Sequence, residues 1–272
     1  MKTTETNYSD LFKGTAYYYA RFRSNIPQSV IKYLEKRFNL DGNGILLDIG
    51  CGTGQLTYPL ANKFENVIAV DPDEEMLNEA KHLNNYSKYK HIKNIKWRKE
   101  DANHISGSNN KYKLVTFCRA FHWVEQYTVL EKLKKLLTDG GGVAIIGDGS
   151  FWTGTEDWQL SVKQVVKNYL GEQRRAGSGK FNTTDEPYED ILRKSGFVNI
   201  ECINFAIERK WTFESIKGWL YSSSFASRRL FGKKYKDFEV DLKKALLELN
   251  KDGVYIEHAS FSVKSGFYNN KK

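Results

Sequence analysis

Residues 45 to 54 read Ile-Leu-Leu-Asp-Ile-Gly-Cys-Gly-Thr-Gly, an apolar run closed by glycines at three alternate positions. Short apolar runs stopped by Gly or Asp mark strands buried on both faces. A second such run, Val67 to Val70, ends in Asp71, twenty-one residues after Gly50. Together the two runs describe neighbouring parallel strands that serve one ligand. Gly50, Gly52 and Gly54 permit a tight turn into a helix and let a ligand reach the backbone without meeting a Cβ. A carboxylate at the tip of the next strand is placed to accept hydrogen bonds from ribose hydroxyls.

That points to a nucleotide-like ligand, and the spacing excludes two common ones. The dinucleotide fingerprint G-x-G-x-x-G started at Gly50 needs glycine at 55, which is Gln; started at Gly52 it needs glycine at 57, which is Thr. The Gly-Lys-Ser/Thr of a phosphate-cradling loop is absent from this turn.

Outward from the turn, strands and helices alternate. Val30, Ile31, Leu34 and Phe38 after Pro27 have helical spacing, and Gln55 to Lys63 reads as the helix that follows the turn. Glu74 to Leu83 reads as a helix with Asp73 as N-cap. Ile95 to Lys99, Leu114 to Phe117 and Val143 to Ile146 read as further strands, the last preceded by a helix that Asp139-Gly140-Gly141-Gly142 ends. Such alternation predicts a mostly parallel sheet with helices on both faces, an α/β fold of the Rossmann type. Val198 to Ile207 and Val254 to Val263 bring the strands to seven. We expect a single domain: an N-terminal helical segment (1–42), a cofactor-binding core (43–150) and two insertions (151–186 and 209–252) that cap the substrate.

The chain has 272 residues, 40% of them hydrophobic and 14% aromatic, which supplies a packed core. No run approaches about 18 apolar residues, and Met1 to Asp10 lacks a signal-peptide core, so a cytoplasmic protein is expected. Cys51, Cys118 and Cys202 have no paired spacing, which fits a reducing compartment. The net charge of +9 comes from lysines scattered along the chain, a solvated surface or a funnel for an anionic substrate or RNA. The five histidines have no zinc-type spacing, and the Gly-x-Ser-x-Gly of a serine hydrolase is missing, so we expect neither metal nor nucleophilic chemistry.

Asp48-Ile49-Gly50-Cys51-Gly52-Thr53-Gly54 closely resembles motif I of the class I S-adenosylmethionine-dependent methyltransferases. The resemblance implies that Asp48 and the turn approach the methionine part of the cofactor, S-adenosyl-L-methionine (product S-adenosyl-L-homocysteine). It places Asp71 on the ribose hydroxyls and Pro72 and Met76 along the adenosine. Asp101 would lie near the adenine amino group, unless it is a simple turn cap, and Ala102 would offer a backbone amide. Ala120-Phe121-His122-Trp123 is similar to a stretch of the trans-aconitate methyltransferase-like group of small-molecule enzymes. Arg119 and Ala120 would then border the cofactor, Trp123 the acceptor, and His122 would be a general base or a packing residue.

Tyr17 to Pro27 looks like the aromatic and arginine-bearing entry segment of the same group, departing from it at Ser24 and Ile26. Tyr19 and Arg23 are its candidates for catalysis and acceptor binding, joined by Trp152 and Arg174 in the first insertion. The expected activity is methyl transfer to the oxygen or nitrogen of a small molecule, a carboxylate among them. Two alternatives stay open: an RNA or protein acceptor, and a cofactor-binding protein without turnover.

Overall fold

The run at 45–49 lies at the centre of a parallel sheet, where its burial on both faces puts it. The computed structural model describes residues 11–86, 89–105, 109, 111–149, 151–173, 175–176, 179–180 and 186–269. The strands are β1 (Ile45–Ile49), β2 (Asn66–Asp71), β3 (Ile95–Lys99), β4 (Tyr112–Cys118), β5 (Leu137–Asp148), β6 (Arg175–Ala176), β7 (Gly179–Lys180), β8 (Val198–Thr212) and β9 (Val254–Phe267). The helices include α1 (Ala16–Phe22), α2 (Gln28–Arg37), α3 (Thr57–Ala61), α4 (Glu74–Tyr86) and α5 (Gln126–Leu136). After them come α6 (Asp157–Leu170), α7 (Tyr188–Lys194), α8 (Phe213–Tyr221) and α9 (Tyr235–Leu249).

Seven strands form one sheet in the order β3-β2-β1-β4-β5-β9-β8, and β6 with β7 makes a separate antiparallel pair. β1 to β5 pair in parallel, and β9 runs antiparallel to β5. This is the seven-stranded, mostly parallel arrangement expected from the alternation. Register sets the faces: Leu47 stands beside Ile68 and Ile49 beside Val70. These four, with Val115 and Phe117, pack on Val129, Leu130 and Leu133 of α5 and on Ile191 and Leu192 of α7. Alternate residues point the other way. There Ala69 meets Leu77 of α4, and Phe38, at the end of α2, lies against Phe267 with ring centroids 5.0 Å apart.

β5 is longer than the expected Val143 to Ile146. It begins directly after α5, with Leu137 opposite Tyr112, and the register shifts before Gly142 meets Leu114. The bulge takes in the Asp-Gly-Gly segment that was expected only to end the helix. A Cβ at Gly142 would lie 2.5 Å from the Phe38 ring, so the glycine lets α2 close on the sheet.

By its contacts the chain divides into two compact units. One comprises Asn25–Asp148, Thr183–Phe205 and Ser260–Lys272, and it holds β1 to β5. The other comprises Met1–Ser24, Gly149–Asn182 and Ala206–Ala259, and it holds α1, α6, α8 and α9. The expected N-terminal segment 1–42 is thus divided between them at Ser24. The second unit's core is aromatic, built from Trp158, Trp211, Trp219, Tyr221, Phe231 and Phe238 among others. Its buried carboxylate, Glu257, accepts from Trp211 Nε1 at 2.9 Å, Gln159 Nε2 at 3.1 Å and Arg209 at 3.2 Å. Among the described residues no helix is long and apolar enough to cross a membrane.

Candidate active site

The chain leaves β1 through a turn that only glycine accommodates without strain. Gly50, Gly52 and Gly54 have φ of 65°, 54° and 84°, all in the left-handed region. At two of them space is closed as well. A Cβ on Gly50 would lie 2.4 Å from the Ala120 methyl, and one on Gly54 would lie 2.7 to 2.9 Å from the rings of Tyr58 and Trp97. The backbone of the turn is tied to β2. Cys51 N donates to Val70 O at 3.0 Å, and Gly52 N donates to Asp71 Oδ2 at 2.8 Å.

Asp71 at the tip of β2 is buried, and its other oxygen accepts from Asp73 N at 2.9 Å. Burial pushes its carboxyl up to about 7, the two backbone donors opposing and the nearby Asp73 and Asp48 adding to the rise. An ionised carboxylate has about four acceptor positions, so each oxygen keeps room for another donor. Asp73 caps α4 as expected, its Oδ1 accepting from Glu75 N and Met76 N at 2.8 and 3.3 Å. Pro72 is half-buried and Met76 is buried.

Asp48 sits elsewhere. It is fully buried inside β1, and its two oxygens accept from the hydroxyls of Thr57 at 2.6 Å and Thr116 at 2.7 Å. It therefore latches β1 to β4 and to the first turn of α3. Burial pushes it up to about 6 against the opposing threonine bonds. Burial raises the thiols beside this region, Cys51 well above its usual range and Cys118 up to about 12.

At the tip of β3, Asp101 Oδ1 accepts from Asn103 N at 2.7 Å and caps the short turn Ala102–His104, in which Ala102 is buried. At the tip of β4 the structure is tighter. Arg119 adopts φ 58°, a conformation that costs a non-glycine residue on the order of 1 kcal/mol. Its guanidinium makes a two-pronged ion pair with Asp148 at the end of β5, Nε to Oδ1 at 2.6 Å and Nη2 to Oδ2 at 3.0 Å. Nη1 donates to Gln55 Oε1 at 3.0 Å. Phe121 turns into the core against Phe117 and Tyr188, 5.0 Å from each. His122 and Trp123 stay half-buried, their rings 4.7 Å apart.

The turn, Asp71, Met76, Arg119 and Ala120 are thus gathered in one unit, with Gln55, Thr57, Thr116 and Asp148 added by the fold. No local pattern marks these four, because what joins them is strand register. His122 and Trp123 belong to this unit too, whereas Tyr19, Arg23 and Trp152 lie in the other. Arg23 rests between the rings of Tyr19 at 5.1 Å and Trp219 at 4.5 Å, and its Nε donates to Ser222 Oγ at 2.8 Å. Trp152 packs on Phe225 at 5.4 Å. Arg174 lies outside the described residues.

Residues 46–141 match the family model described as a methyltransferase domain. The part of the chain that holds the glycine turn is thus a methyltransferase domain of the class I, S-adenosylmethionine-dependent type. A protein of Dictyostelium discoideum named as a methyltransferase is 25% identical over 250 residues, 91% of this chain and 89% of that protein. A malonyl-[acyl-carrier protein] O-methyltransferase of Paenibacillus is 25% identical over 215 residues, 71% of this chain and 74% of that enzyme. Among solved structures, a protein of Anaeromyxobacter dehalogenans named as a type II methyltransferase superposes with a TM-score of 0.60 at 20% identity, covering 92% of this chain and all of that one. The resemblance extends to a Haemonchus contortus phosphoethanolamine N-methyltransferase in complex with S-adenosyl-L-methionine: TM-score 0.57, 20% identity, 99% of this chain and 62% of that one.

Two consequences of the buried charges are measurable. Asp148→Ala leaves the Arg119 guanidinium buried without its carboxylate, and urea unfolding should show a loss of about 3–5 kcal/mol. The double variant R119M/D148L should recover most of it. For Asp48, the folded chain keeps the proton up to about pH 6 while the unfolded chain loses it near 3.8. The stability this contributes is complete below pH 3.8 and is lost as pH rises through 6. A side-chain amide in its place has no such proton, so Asp48→Asn should gain on the wild type by on the order of 2–3 kcal/mol between pH 4 and 6. Parallel pH profiles for the two proteins would rule this out.

Proposed function

We propose that the chain transfers a methyl group from S-adenosylmethionine to a small-molecule oxygen or nitrogen, a carboxylate foremost. The observation that carries the donor assignment is the left-handed glycine turn with a buried carboxylate, Asp71, fastened to its middle amide. The donor set suits a nucleoside bearing an amino-acid tail. The turn offers bare backbone at three glycines, Asp71 retains acceptor capacity for a diol, and Thr53 Oγ1 in the same turn is buried without a hydrogen-bond partner among the described residues. Asp71 would hold the ribose hydroxyls, with Pro72 and Met76 beside the adenosine. Asp101 and the backbone of Ala102 would meet the adenine, and the 50–54 turn, Cys51 included, the methionine part. With their side chains tied to Thr57 and Thr116 and to Asp148 and Gln55, Asp48 and Arg119 act behind the turn, while Ala120 forms its wall.

When bound, S-adenosylmethionine supplies an electrophilic methyl group on a sulfonium. The chain's own task is to fix the two reactants in line and keep water out. We assign Tyr19, Arg23, Trp123 and Trp152 to the acceptor, with Arg174 as a further candidate. Arg23 favours an anion: two rings and Ser222 hold its guanidinium in one orientation, and a fixed guanidinium suits the geometry of a carboxylate. His122 would take the proton of a hydroxyl or amine acceptor at its imidazole; a carboxylate needs no base. Three free cysteines support a cytoplasmic location.

One observation favours a second reading, an acceptor carried on a macromolecule. Several relatives bear the name malonyl-[acyl-carrier protein] O-methyltransferase, and the net charge of +9 would suit an acidic carrier.

Calorimetric titration with S-adenosylmethionine and S-adenosylhomocysteine, with NAD as control, tests the donor. Micromolar binding of the first two and none of NAD is expected. Asp71→Ala should weaken it by roughly 1.5–3 kcal/mol, the range for a hydrogen bond to a charged group. Unchanged affinity in that variant would remove Asp71 from the site.

A further inference from the structure

We propose that Arg119 and Gln55 are positioning residues through which the tip of β4 grips the glycine turn at both ends, setting the shape in which it meets the cofactor. The proposal rests on the assignment of the turn to S-adenosylmethionine. Two consecutive residues of the β4 tip reach the two ends of the turn. Ala120 closes on its start, where a Cβ at Gly50 would lie 2.4 Å from the Ala120 methyl. Arg119 holds its far end, Nη1 donating to Gln55 Oε1 at 3.0 Å, one residue beyond Gly54.

The grip is anchored behind. Arg119 N donates to Ile146 O at 2.8 Å, its guanidinium is paired twice with Asp148, and its charge lies 5.3 Å from the Phe261 ring. Both partners are buried, with side-chain exposures of 8% and 7%, so the pair is little screened by solvent. The turn needs such support. Its three glycines have more freedom to lose than any other residues, and the helix that follows, α3, has no side-chain cap at Leu56. At the far end, Gln55 therefore ties turn and helix start to the sheet. The left-handed φ of Arg119 fits the same purpose: strain at a strand tip persists where surrounding bonds over-determine it.

The test uses Gln55→Met, which keeps length and removes the acceptor, and Gln55→Glu, which keeps an acceptor for Arg119. Amide hydrogen exchange of the 50–56 segment is followed without ligand, and S-adenosylhomocysteine affinity and melting temperature are measured in parallel. Met at 55 should speed exchange in that segment about tenfold, as expected for one charge-assisted hydrogen bond. It should weaken binding severalfold and lower the melting temperature by no more than about 5 °C. Glu should restore slow exchange. Wild-type exchange and affinity in Gln55→Met would overturn the proposal, and so would faster exchange spread evenly over the whole chain. If wild type binds no S-adenosylhomocysteine while Met at 55 still loosens the turn, the grip stands and the donor assignment falls.

Discussion

A side chain at position 50 would occupy the space of the Ala120 methyl, and much of the active unit is arranged around that exclusion. β1 lies between β2 and β4, and between β1 and β4 the order of strands along the chain reverses direction. In open α/β sheets the crevice outside such a point takes the ligand, because the connections leave to opposite faces and open a gap between them. Here the gap is lined by a backbone that has given up its side chains. β2 closes it with Asp71, and β4 closes it with Ala120 and Arg119. The closure from β4 would not reach the turn if glycine were replaced at its start.

Around the turn the unit buries several carboxylates and treats three of them differently. Asp48 is met by two hydroxyls, which solvate it but carry no charge, and its carboxyl is held well above the ordinary range. Asp71 is met by two backbone amides whose positions the turn and α4 have already fixed. Asp148 is met by a full guanidinium in fork geometry, the arrangement with the strongest attraction and the heaviest desolvation. The differences follow the surroundings of each group: Asp48 is satisfied inside β1, Asp71 keeps acceptor positions beyond its two amides, and Asp148 joins the end of β5 to Arg119.

How far the residues alone disclose this depends on whether an interaction is local. The glycine turn, Asp73 as a cap and the alternation of strands were legible because each is written within a few consecutive residues. Asp101 was legible as an acidic strand end, with a turn cap as its alternative, and the observed bond to Asn103 N is the cap. The partners of Asp48 were not legible, since Thr116 comes beside it only through the β1–β4 register, where Asp48 faces Thr116. Arg119 and Asp148 are likewise joined by β4–β5 pairing and by bond directions that no spacing encodes. The early start of β5 escaped for a related reason: Asp-Gly-Gly-Gly reads as a stop signal, and a bulge can use the same residues to keep pairing.

What an acceptor would meet is hardest to read from residues because of the chemistry itself. Displacement at a sulfonium methyl needs alignment and dryness more than it needs charged catalysts. The second unit is built of Trp, Tyr and Phe, the same residues that any core would use. Its buried carboxylate, Glu257, is satisfied by Trp211, Gln159 and Arg209 and so belongs to the packing. Arg23 shows how such a unit can also hold a cation in a fixed place. A guanidinium is planar, so its faces can lie on aromatic rings while its edge donates hydrogen bonds. Tyr19 and Trp219 supply the rings, and Ser222 receives Nε at its hydroxyl. Orientation of this kind comes from shape and the ring quadrupoles, and two separate stretches of chain contribute to it. No motif records that arrangement, because rings from α1 and α8 meet one arginine only after both helices have packed.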